Sequence, residues 1–246
     1  MSLKKDFTEN GYIAKKGFLN ETELNDLLIN TDRFITEVIP TIPEEQVYYE
    51  DKNDLATLKQ IQLMHKYDDY FTELANSEKV VSLAEELLGG AVNLVNMQYF
   101  NKFPGKNVGT PAHQDGFYFP IKPQEALTMW LSLGYADEEN GAVQYIPKSH
   151  KKGMRAHGQS SILGFSQTIS DWTEEDRQSL VQMEAAPGDI LVHHSLTVHA
   201  AKANRSNRNR RSVGFIFYRA DVELDAEAHA AYQATLASQL ENEGKI

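Results

Sequence analysis

Apolar residues recur at helical spacing in the first third of the chain. Asn20 and Glu23 form a capping-box pattern that opens a helix. Its apolar stripe consists of Leu24, Leu27, Leu28, Phe34 and Ile35. Ser77 is the predicted cap of a second amphipathic helix, which ends at Gly89. These patterns predict that residues 1–90 are mainly helical.

From residue 91 onward, the pattern changes to short β-branched and aromatic runs separated by Gly, Pro, Asn and Asp. Such runs predict strands, and several of them in succession are typical of a sandwich or barrel. The predicted strands are 91–103, 117–119, 127–135, 142–146, 190–198 and 212–219. Residues 172–183 form an acidic insertion that is helical or extended.

The predicted fold class is therefore mainly β with flanking helices. We expect one domain over residues 1–246, because β-rich folds of this length are commonly single. Its parts are a helical N-terminal part over about 1–90, a β core over about 91–220 and an Ala-rich C-terminal helix over about 221–240.

Composition excludes several classes of function. The chain has 41% hydrophobic and 24% charged residues, with no run of eighteen apolar residues and no signal-like segment, so we expect a cytoplasmic protein without a membrane partner. A formal net charge of −11 makes broad nucleic-acid binding unfavourable. The absence of cysteine excludes disulfides, thiolate metal sites and cysteine nucleophiles. Any metal must be held by His, Asp or Glu.

The segment Pro111–Phe119 sets His113 and Asp115 two residues apart in an aromatic, strand-forming run. Residues i and i+2 of a strand project from one face, so these two side chains can aim at one point. They could supply two corners of a 2-His-1-carboxylate site for Fe(II). The same spacing also occurs in solvated surface residues, so a third ligand is required.

The segment Ile190–His199 offers three candidates for the third ligand, namely His193, His194 and His199. They cannot all point the same way, and a histidine on a strand can also be a packed core residue. We favour His199, because Arg210 follows it eleven residues later. A guanidinium near a metal suits a dicarboxylate cosubstrate. If Asn204–Asn209 forms a hairpin turn, Arg210 returns beside the strand that carries His199.

Six motifs in chain order resemble the phytanoyl-CoA dioxygenase family of Fe(II)/2-oxoglutarate-dependent oxygenases. They are Gln98–Gly105, Pro111–Asp115, Trp130–Leu133, Glu139–His150, Gly188-Asp189, and His199 with Arg210. The resemblance extends from about Tyr12 to Tyr218. Each motif alone is weakly specific, and the ordered set is specific for the family but not for the substrate.

This resemblance implies a double-stranded β-helix, the cupin-like jelly roll, with N-terminal helices and a C-terminal helix. It implies an enzyme that uses O2 and 2-oxoglutarate to hydroxylate or otherwise oxidise an unactivated C–H of a small molecule, releasing succinate and CO2, with ascorbate in support. Iron would be held by His113, Asp115 and His199, and Arg210 would pair with the far carboxylate of 2-oxoglutarate. The expected secondary contacts to the cosubstrate are Gln98, Lys102, Thr128 and Trp130.

Two departures from the family pattern lead to expectations of their own. Ala200-Ala201 stands where many members have Gly-Ser, which predicts the loss of a hydroxyl contact to the cosubstrate. Lys148 replaces the glycine of a Pro-Gly-Ser-His motif, which predicts a different loop conformation. Asp115 is retained, whereas related halogenases place a small residue there, so hydroxylation is favoured over halogenation.

One alternative function is a non-catalytic jelly-roll protein that binds a small molecule, and the complete ligand set together with Arg210 argues against it. The other is a metal-dependent isomerase or a cofactor-independent cupin-like oxygenase, neither of which would need Arg210. The substrate stays open among acyl-CoA, amino acid, natural product and phosphonate, with a small polar molecule preferred over an acyl-CoA. The oligomeric state is also open, because the C-terminal helix could pack on the barrel or on a second copy.

Overall fold

The fold is built from short antiparallel strands and peripheral helices. The computed structural model describes residues 2–105, 108–162, 165–228 and 230, without the side chains of residues 159, 161, 162, 165 and 166. The strands, in chain order, are β1 (Tyr12–Lys15), β2 (Val47–Tyr49), β3 (Leu58–Ile61), β4 (Val92–Lys102), β5 (Thr110–His113), β6 (Ile121–Lys122), β7 (Ala126–Ser132), β8 (Val143–Tyr145), β9 (His157–Ile162), β10 (Phe165–Ile169), β11 (Val181–Met183), β12 (Ile190–His194), β13 (His199–Ala201), β14 (Arg210–Arg219) and β15 (Glu223–Leu224).

Two sheets form the body of the fold. The major sheet has the order β1-β12-β7-β14-β4-β3-β2, and the minor sheet has the order β11-β8-β13-β5. Their facing sides pack together, with Trp130 and Leu191 of the major sheet in one apolar cluster with Val143 and Tyr145 of the minor sheet. All strand pairs are antiparallel. This is the predicted jelly roll, and the space between its two sheets contains the candidate site.

The helices are α1 (Leu3–Asn10), α2 (Glu21–Arg33), α3 (Asp69–Ala75), α4 (Glu78–Leu88) and α5 (Glu174–Gln178). Helices α1 to α4 pack on the outer face of the major sheet. Leu27 of α2 and Leu83 of α4 belong to the same buried cluster as Leu131 and Phe215 of the sheet. Among the described residues, no helix combines the length and the apolar character needed to cross a bilayer.

Local sequence signals explain how these helices begin. The capping box of α2 is present, since Asn20 Oδ1 accepts from the Glu23 amide at 3.0 Å and Glu23 Oε2 accepts from the Asn20 amide at 2.8 Å. Ser77 precedes α4 as predicted, but its hydroxyl donates to the Leu74 carbonyl and does not cap the helix. The first ninety residues also supply β1, β2 and β3 to the major sheet, so their description as mainly helical was incomplete.

Two predicted strands and the predicted position of Arg210 differ from the structure. Residues 117–119 do not form a strand, because Asp115–Tyr118 turns into a 3-10 helix. The predicted strand 190–198 ends at His194 and resumes at His199 in the other sheet. Arg210 consequently does not lie beside the strand of His199, since β14 pairs with β4 and β7.

The predicted C-terminal helix over 221–240 falls largely outside the described residues. Within the described part, Glu223–Leu224 forms β15 and pairs with β6, and residues 226–228 are helical.

Lys148 keeps a conformation that suits glycine. Its φ of +64° and ψ of 6° lie in the left-handed region that favours glycine, and the expected difference from the family's loop stays a prediction. The backbone is held there because the Lys148 amide donates to the Asn10 carbonyl at 2.9 Å. Its ammonium also pairs with Glu9 Oε1 at 2.8 Å.

We therefore expect Lys148→Gly to be more stable than Lys148→Ala. Both variants lose the exposed ion pair, but only alanine keeps a Cβ in the left-handed region, where an L-residue costs roughly 1 kcal/mol more than glycine. Chemical denaturation should give the glycine variant the higher free energy of unfolding. Equal stabilities would show that the loop relaxes away from this conformation.

Candidate active site

Three potential metal ligands converge between the two sheets. His113 ends β5 and His199 begins β13, and the two are direct partners in the ladder, with ring centroids 4.1 Å apart. Asp115 Oδ1 lies 3.5 Å from the Nε2 atom of each histidine. One ligand atom from each residue lies within 4.8 Å of the others. The sequence-predicted set is thus brought to one point.

The residue between the first two ligands fixes their common direction. Gln114 is extended, with φ −122° and ψ 126°, so His113 and Asp115 project to the same side although the strand itself ends at His113. The Gln114 side chain projects to the opposite side and donates to the carbonyls of Gly153 and Leu196 at 2.9 and 2.7 Å. This side chain is buried and anchors the dipeptide from behind.

Hydrogen bonds to the backbone assign the tautomers of the two histidines. Nδ1–H of His113 donates to the Pro111 carbonyl at 2.8 Å, and Nδ1–H of His199 donates to the Thr197 carbonyl at 3.0 Å. A neutral imidazole then directs the Nε2 lone pair towards Asp115 Oδ1. Three electron-pair donors facing one another would repel, and a cation between them removes that repulsion. The donor set therefore fits a metal ion, and it matches the ligands used for Fe(II).

Burial and neighbouring charges set the protonation of the cluster. Burial alone would raise the pKa of the Asp115 carboxyl, but the neighbouring imidazoles of His199, His113 and His193 hold this pKa well below its usual range. Burial, followed by the neighbouring imidazoles of His113 and His193, lowers the pKa of His199 well below its ordinary value. The cluster is therefore an ionised carboxylate beside a neutral imidazole, which is the form that binds metal.

The second oxygen of Asp115 contacts two other side chains. Thr128 Oγ1 donates to Asp115 Oδ2 at 2.6 Å, and His193 Nε2 lies 3.0 Å from the same oxygen. His193 Nδ1 is 3.0 Å from the Tyr145 hydroxyl. His193 was a candidate ligand in the sequence, and it contacts the carboxylate instead. His194 projects to the other face of β12, beside Phe7 and His150.

Arg210 is a buried cation that has no anionic partner. It projects from β14 into the space between the sheets, with its guanidinium 5.3 Å from the centre of the Trp130 ring. It donates to the Gly141 carbonyl, and its Nε–H is buried without a hydrogen-bond partner. No carboxylate of the described residues pairs with it. Burial lowers its pKa to about 10, so the guanidinium is still charged at neutral pH.

Gly141 explains how Arg210 reaches its acceptor. This glycine has φ +77°, and a Cβ at this position would collide with the Lys202 carbonyl oxygen. The turn can therefore pass close to the 200–204 segment only with glycine, which brings the Gly141 carbonyl to Arg210.

Lys102 lies directly across the ladder from Arg210 on β4. Its ammonium donates to the Lys202 carbonyl at 2.6 Å. Burial and the charges of Arg210 and Lys59 lower the pKa of Lys102 well below its ordinary value. The two cations border a pocket with about 520 Å³ of empty space, part of it open to solvent. Other lining residues include Glu50, Lys59, Phe100 and Val108.

The other residues predicted to contact 2-oxoglutarate lie in separate parts of the site. Trp130 stacks near Arg210, as described above, and Gln98 lies on the inner face of β4, where its Oε1 accepts from Gln60 Nε2 at 2.7 Å. Thr128 contacts Asp115. Ser212 was missed in the sequence: it lies two residues beyond Arg210 on the same face of β14, and its buried hydroxyl has no partner. The sequence could have identified it, because residues i and i+2 of a strand share a face and Ser212 follows Arg210 at that spacing.

The aromatic residues after Asp115 do not follow strand parity. Tyr118 faces the metal cluster, edge-on to the His113 ring with centroids 6.4 Å apart, whereas a strand continued through the predicted 117–119 segment would direct it to the side opposite Asp115. Phe117 stacks on His157 at 4.6 Å, and Phe119 packs in a separate cluster with Ile121 and Ile216. The 3-10 turn at Asp115–Tyr118 causes these differences.

Comparison with known proteins gives one family over most of the chain. The model of the phytanoyl-CoA dioxygenase (PhyH) family matches residues 7–212. A probable alpha-ketoglutarate-dependent hypophosphite dioxygenase from Stutzerimonas stutzeri is 28% identical over 216 residues, covering 85% of this chain and 74% of the relative. A 2-aminoethylphosphonate dioxygenase from the uncultured bacterium HF130_AEPn_1 is 26% identical over 220 residues, covering 87% and 79%.

Solved structures share the fold at lower sequence identity. The epimerase SnoN in complex with Fe3+, alpha ketoglutarate and nogalamycin RO aligns with a TM-score of 0.74 and 23% identity, covering 90% of this chain and 84% of that one. EctD from S. alaskensis with 2-oxoglutarate and 5-hydroxyectoine aligns with a TM-score of 0.75 and 17% identity, covering 90% and 76%. Both likenesses confirm the predicted jelly roll.

Proposed function

The chain belongs to the phytanoyl-CoA dioxygenase family, and we propose that His113, Asp115 and His199 hold the iron of this iron- and 2-oxoglutarate-dependent dioxygenase. The observation that carries the assignment is the convergence of the Nε2 atoms of His113 and His199 on one oxygen of Asp115, while both Nδ1 atoms are engaged by backbone carbonyls. A binding protein without a metal would have no reason to keep this repulsive arrangement. The isomerase and non-catalytic alternatives are therefore not favoured.

The protein's own contribution is to hold the reactants in a dry, oriented site. When bound, ferrous iron supplies the oxidation, in which O2 and 2-oxoglutarate are consumed and succinate, CO2 and an oxidised substrate are formed. His113, Asp115 and His199 would hold the metal from one side, which would leave cosubstrate, O2 and substrate to approach from the other. The carbonyls of Pro111 and Thr197 keep both imidazoles in the ligating tautomer throughout.

We assign Arg210 to the far carboxylate of 2-oxoglutarate. A buried guanidinium with an unpartnered Nε–H is costly alone, and a carboxylate neutralises it with paired hydrogen bonds. The Ser212 hydroxyl projects from the same strand face and suits a third contact, which would replace the hydroxyl lost at Ala200-Ala201. Lys102 adds a second positive charge.

Of the other predicted cosubstrate contacts, Trp130 shields the guanidinium of Arg210 and Gln98 offers an amide on the inner face of the major sheet. Thr128 acts through Asp115, because its hydroxyl is committed to that carboxylate. We therefore propose Thr128 as a support of the metal ligand and not as a direct contact of 2-oxoglutarate.

We propose that the substrate is a small molecule without a CoA group. Two of the cations near the 148–155 loop that could receive CoA phosphates are already paired: Lys148 with Glu9, and Arg155 with Asp171 and Asp176. The wall near the metal cluster is aromatic, formed by Tyr118 and by Tyr218, whose pKa is raised by burial and by the Asp115 charge.

The carboxylate ligand Asp115 fills the position that a halide would need, so the expected outcome is hydroxylation.

We propose O2 as the oxidant and ascorbate as the reductant that would keep the bound iron ferrous. We propose that residues 1–246 act as one catalytic domain, because the N-terminal strands β1 to β3 lie in the major sheet. A cytoplasmic location stays a prediction.

Substrate-dependent succinate release tests the proposal. The protein, loaded with Fe(II), 2-oxoglutarate and ascorbate in air, would be screened by mass spectrometry for compounds that gain one oxygen atom in step with succinate. The panel would hold hypophosphite, 2-aminoethylphosphonate, amino acids, aromatic natural products and fatty acyl-CoA esters. We expect a hit among the small molecules that lack CoA. An acyl-CoA as the best substrate would contradict the proposed substrate class.

A further inference from the structure

We propose that His193 is a positioning residue that holds Asp115 as a one-oxygen ligand, by taking up the carboxylate oxygen that faces away from the metal cluster. The proposal rests on the proposed function, since it assumes that Asp115 binds the metal. The geometric evidence is that the two oxygens of the Asp115 carboxylate contact different groups. Oδ1 lies 3.5 Å from both ligand imidazoles, and Oδ2 lies 3.0 Å from His193 and 2.6 Å from Thr128.

The direction of each hydrogen bond follows from what the groups can donate. An ionised carboxylate only accepts, so the proton between His193 and Asp115 belongs to His193 Nε2. The other ring nitrogen, Nδ1, lies 3.0 Å from the Tyr145 hydroxyl. The chain of polar contacts therefore runs from Tyr145 through His193 to Asp115. Both nitrogens of His193 are occupied, and neither is directed to the metal.

The sheet holds His193 in this position. His193 of β12 is the direct partner of Thr128 on β7, so the two donors to Oδ2 come from adjacent positions of one ladder. His193 is also the partner of Tyr12, whose ring stacks on Tyr145 at 4.6 Å. His193 is only 4% exposed and Tyr145 is fully buried. The imidazole cannot turn without breaking these contacts.

The two donors to Oδ2 limit how the Asp115 carboxylate can bind a metal. Because Oδ2 is engaged, Asp115 would offer a single oxygen, whereas a carboxylate that could rotate would offer both. A one-oxygen carboxylate leaves an additional coordination position for cosubstrate or O2. Loss of a partner that is hydrogen-bonded to a metal ligand typically costs 10–100-fold in metal affinity.

Two variants that differ by one methylene separate the contacts of His193. In His193→Gln, the amide nitrogen reaches the place of the imidazole Nε2 and keeps a donor for Asp115. In His193→Asn, the amide ends near the place of Nδ1, so it can meet Tyr145 but falls short of Asp115. A purely structural role of His193 would rank these variants by folding and not by the Asp115 contact.

The measurement is an anaerobic titration of the folded, metal-free full chain with Co(II), followed by its visible d–d absorption. We expect His193→Asn to bind Co(II) at least ~10-fold more weakly than wild type with an altered spectrum, and His193→Gln to stay within about threefold. His194→Asn is the matched control, because Asn Oδ1 replaces the Nδ1 acceptor of the Leu196 amide and this side chain faces away from Asp115. It should match wild type.

Co(II) binding by Asp115→Ala tests the ligand assignment, and Co(II) binding by the His193 variants tests the positioning role. Asp115→Ala in the same titration must lose Co(II) binding, and wild-type affinity there would overturn the proposed ligands themselves. If Asp115→Ala fails to bind but His193→Asn binds as wild type does, the positioning role alone is wrong. Weak binding by His193→Gln with normal binding by His193→Asn would assign the effect to Tyr145 and would also refute it.

Discussion

The Asp115→Ala variant is expected to lose metal binding and 2-oxoglutarate turnover together. Asp115 is the only negative charge in the described ligand cluster, and its Oδ1 atom is the shared neighbour of His113 and His199. Without it, two neutral imidazoles remain, and we expect metal affinity to fall by more than the ~100-fold that loss of a hydrogen-bonded supporting partner can cost. Succinate release should fall below detection, and isothermal titration with Fe(II) under nitrogen would measure the affinity.

Protein stability gives a second measure of the same loss. A metal ion at a free concentration of about 100 times its dissociation constant raises the free energy of unfolding of wild type by roughly 2.7 kcal/mol. The same metal concentration should not raise the free energy of unfolding of Asp115→Ala. Asp189→Asn is the control, because Asp189 is a buried carboxylate that holds the amides of Gly17 and Ala186 and the ammonium of Lys16. It should cost about 1–3 kcal/mol of stability but leave the metal-induced gain intact. A full metal-induced gain in Asp115→Ala would refute the ligand assignment.

Arg210→Met is expected to weaken 2-oxoglutarate and leave metal binding nearly unchanged. Removing one partner of a buried charge pair costs about 2–5 kcal/mol, which is roughly a 30- to 3,000-fold rise in the KM for 2-oxoglutarate. The ligand-free variant should be at least as stable as wild type, because it no longer buries an unpaired guanidinium between the sheets. Steady-state kinetics and thermal unfolding would measure the two effects.

The neighbouring arginine provides the control for Arg210. Arg211 projects to the other face of β14, where it pairs with Asp32 and donates to the Tyr99 hydroxyl at 3.1 Å. Arg211→Met therefore removes the same charge from the same strand without touching the pocket. It should lose some stability and keep the wild-type KM for 2-oxoglutarate. An equal rise in KM for both variants would show that Arg210 does not bind the cosubstrate.

Much of the site could be predicted from sequence because its parts are local. His113 and Asp115 are separated by one extended residue, so their common direction follows from backbone geometry. The jelly roll followed from the succession of short strands, and the cap of α2 from Asn20 and Glu23. In each case the decisive interaction lies within a few residues of the signal.

The role of His193 could not be predicted because it depends on the pairing of distant strands. Three histidines lie within seven positions, and the sequence does not say that β12 ends after His194 and that His199 starts a strand of the other sheet. Only the register of β12 with β7 places His193 opposite Thr128 and next to the Asp115 carboxylate.

The left-handed backbone of Lys148 could not be predicted for a different reason. Lysine rarely adopts this conformation, and the tertiary hydrogen bond from the Lys148 amide to the Asn10 carbonyl holds it there. The direction of Tyr118 could not be predicted because the 3-10 turn at Asp115–Tyr118 replaces a strand. Local propensity was overridden by contacts far apart in the chain in the first case, and by turn geometry in the second.

Anaerobic addition of Fe(II) and then 2-oxoglutarate to the metal-free protein shows whether His113, Asp115 and His199 hold an iron that binds the cosubstrate. We expect a weak visible absorption band from the iron-bound 2-oxoglutarate chelate in wild type, with one equivalent of each. The same band should appear in Arg210→Met only at much higher 2-oxoglutarate, and no band should appear in Asp115→Ala. Absence of the band in folded wild type, or an undiminished band in Asp115→Ala, would contradict the assignment of this site.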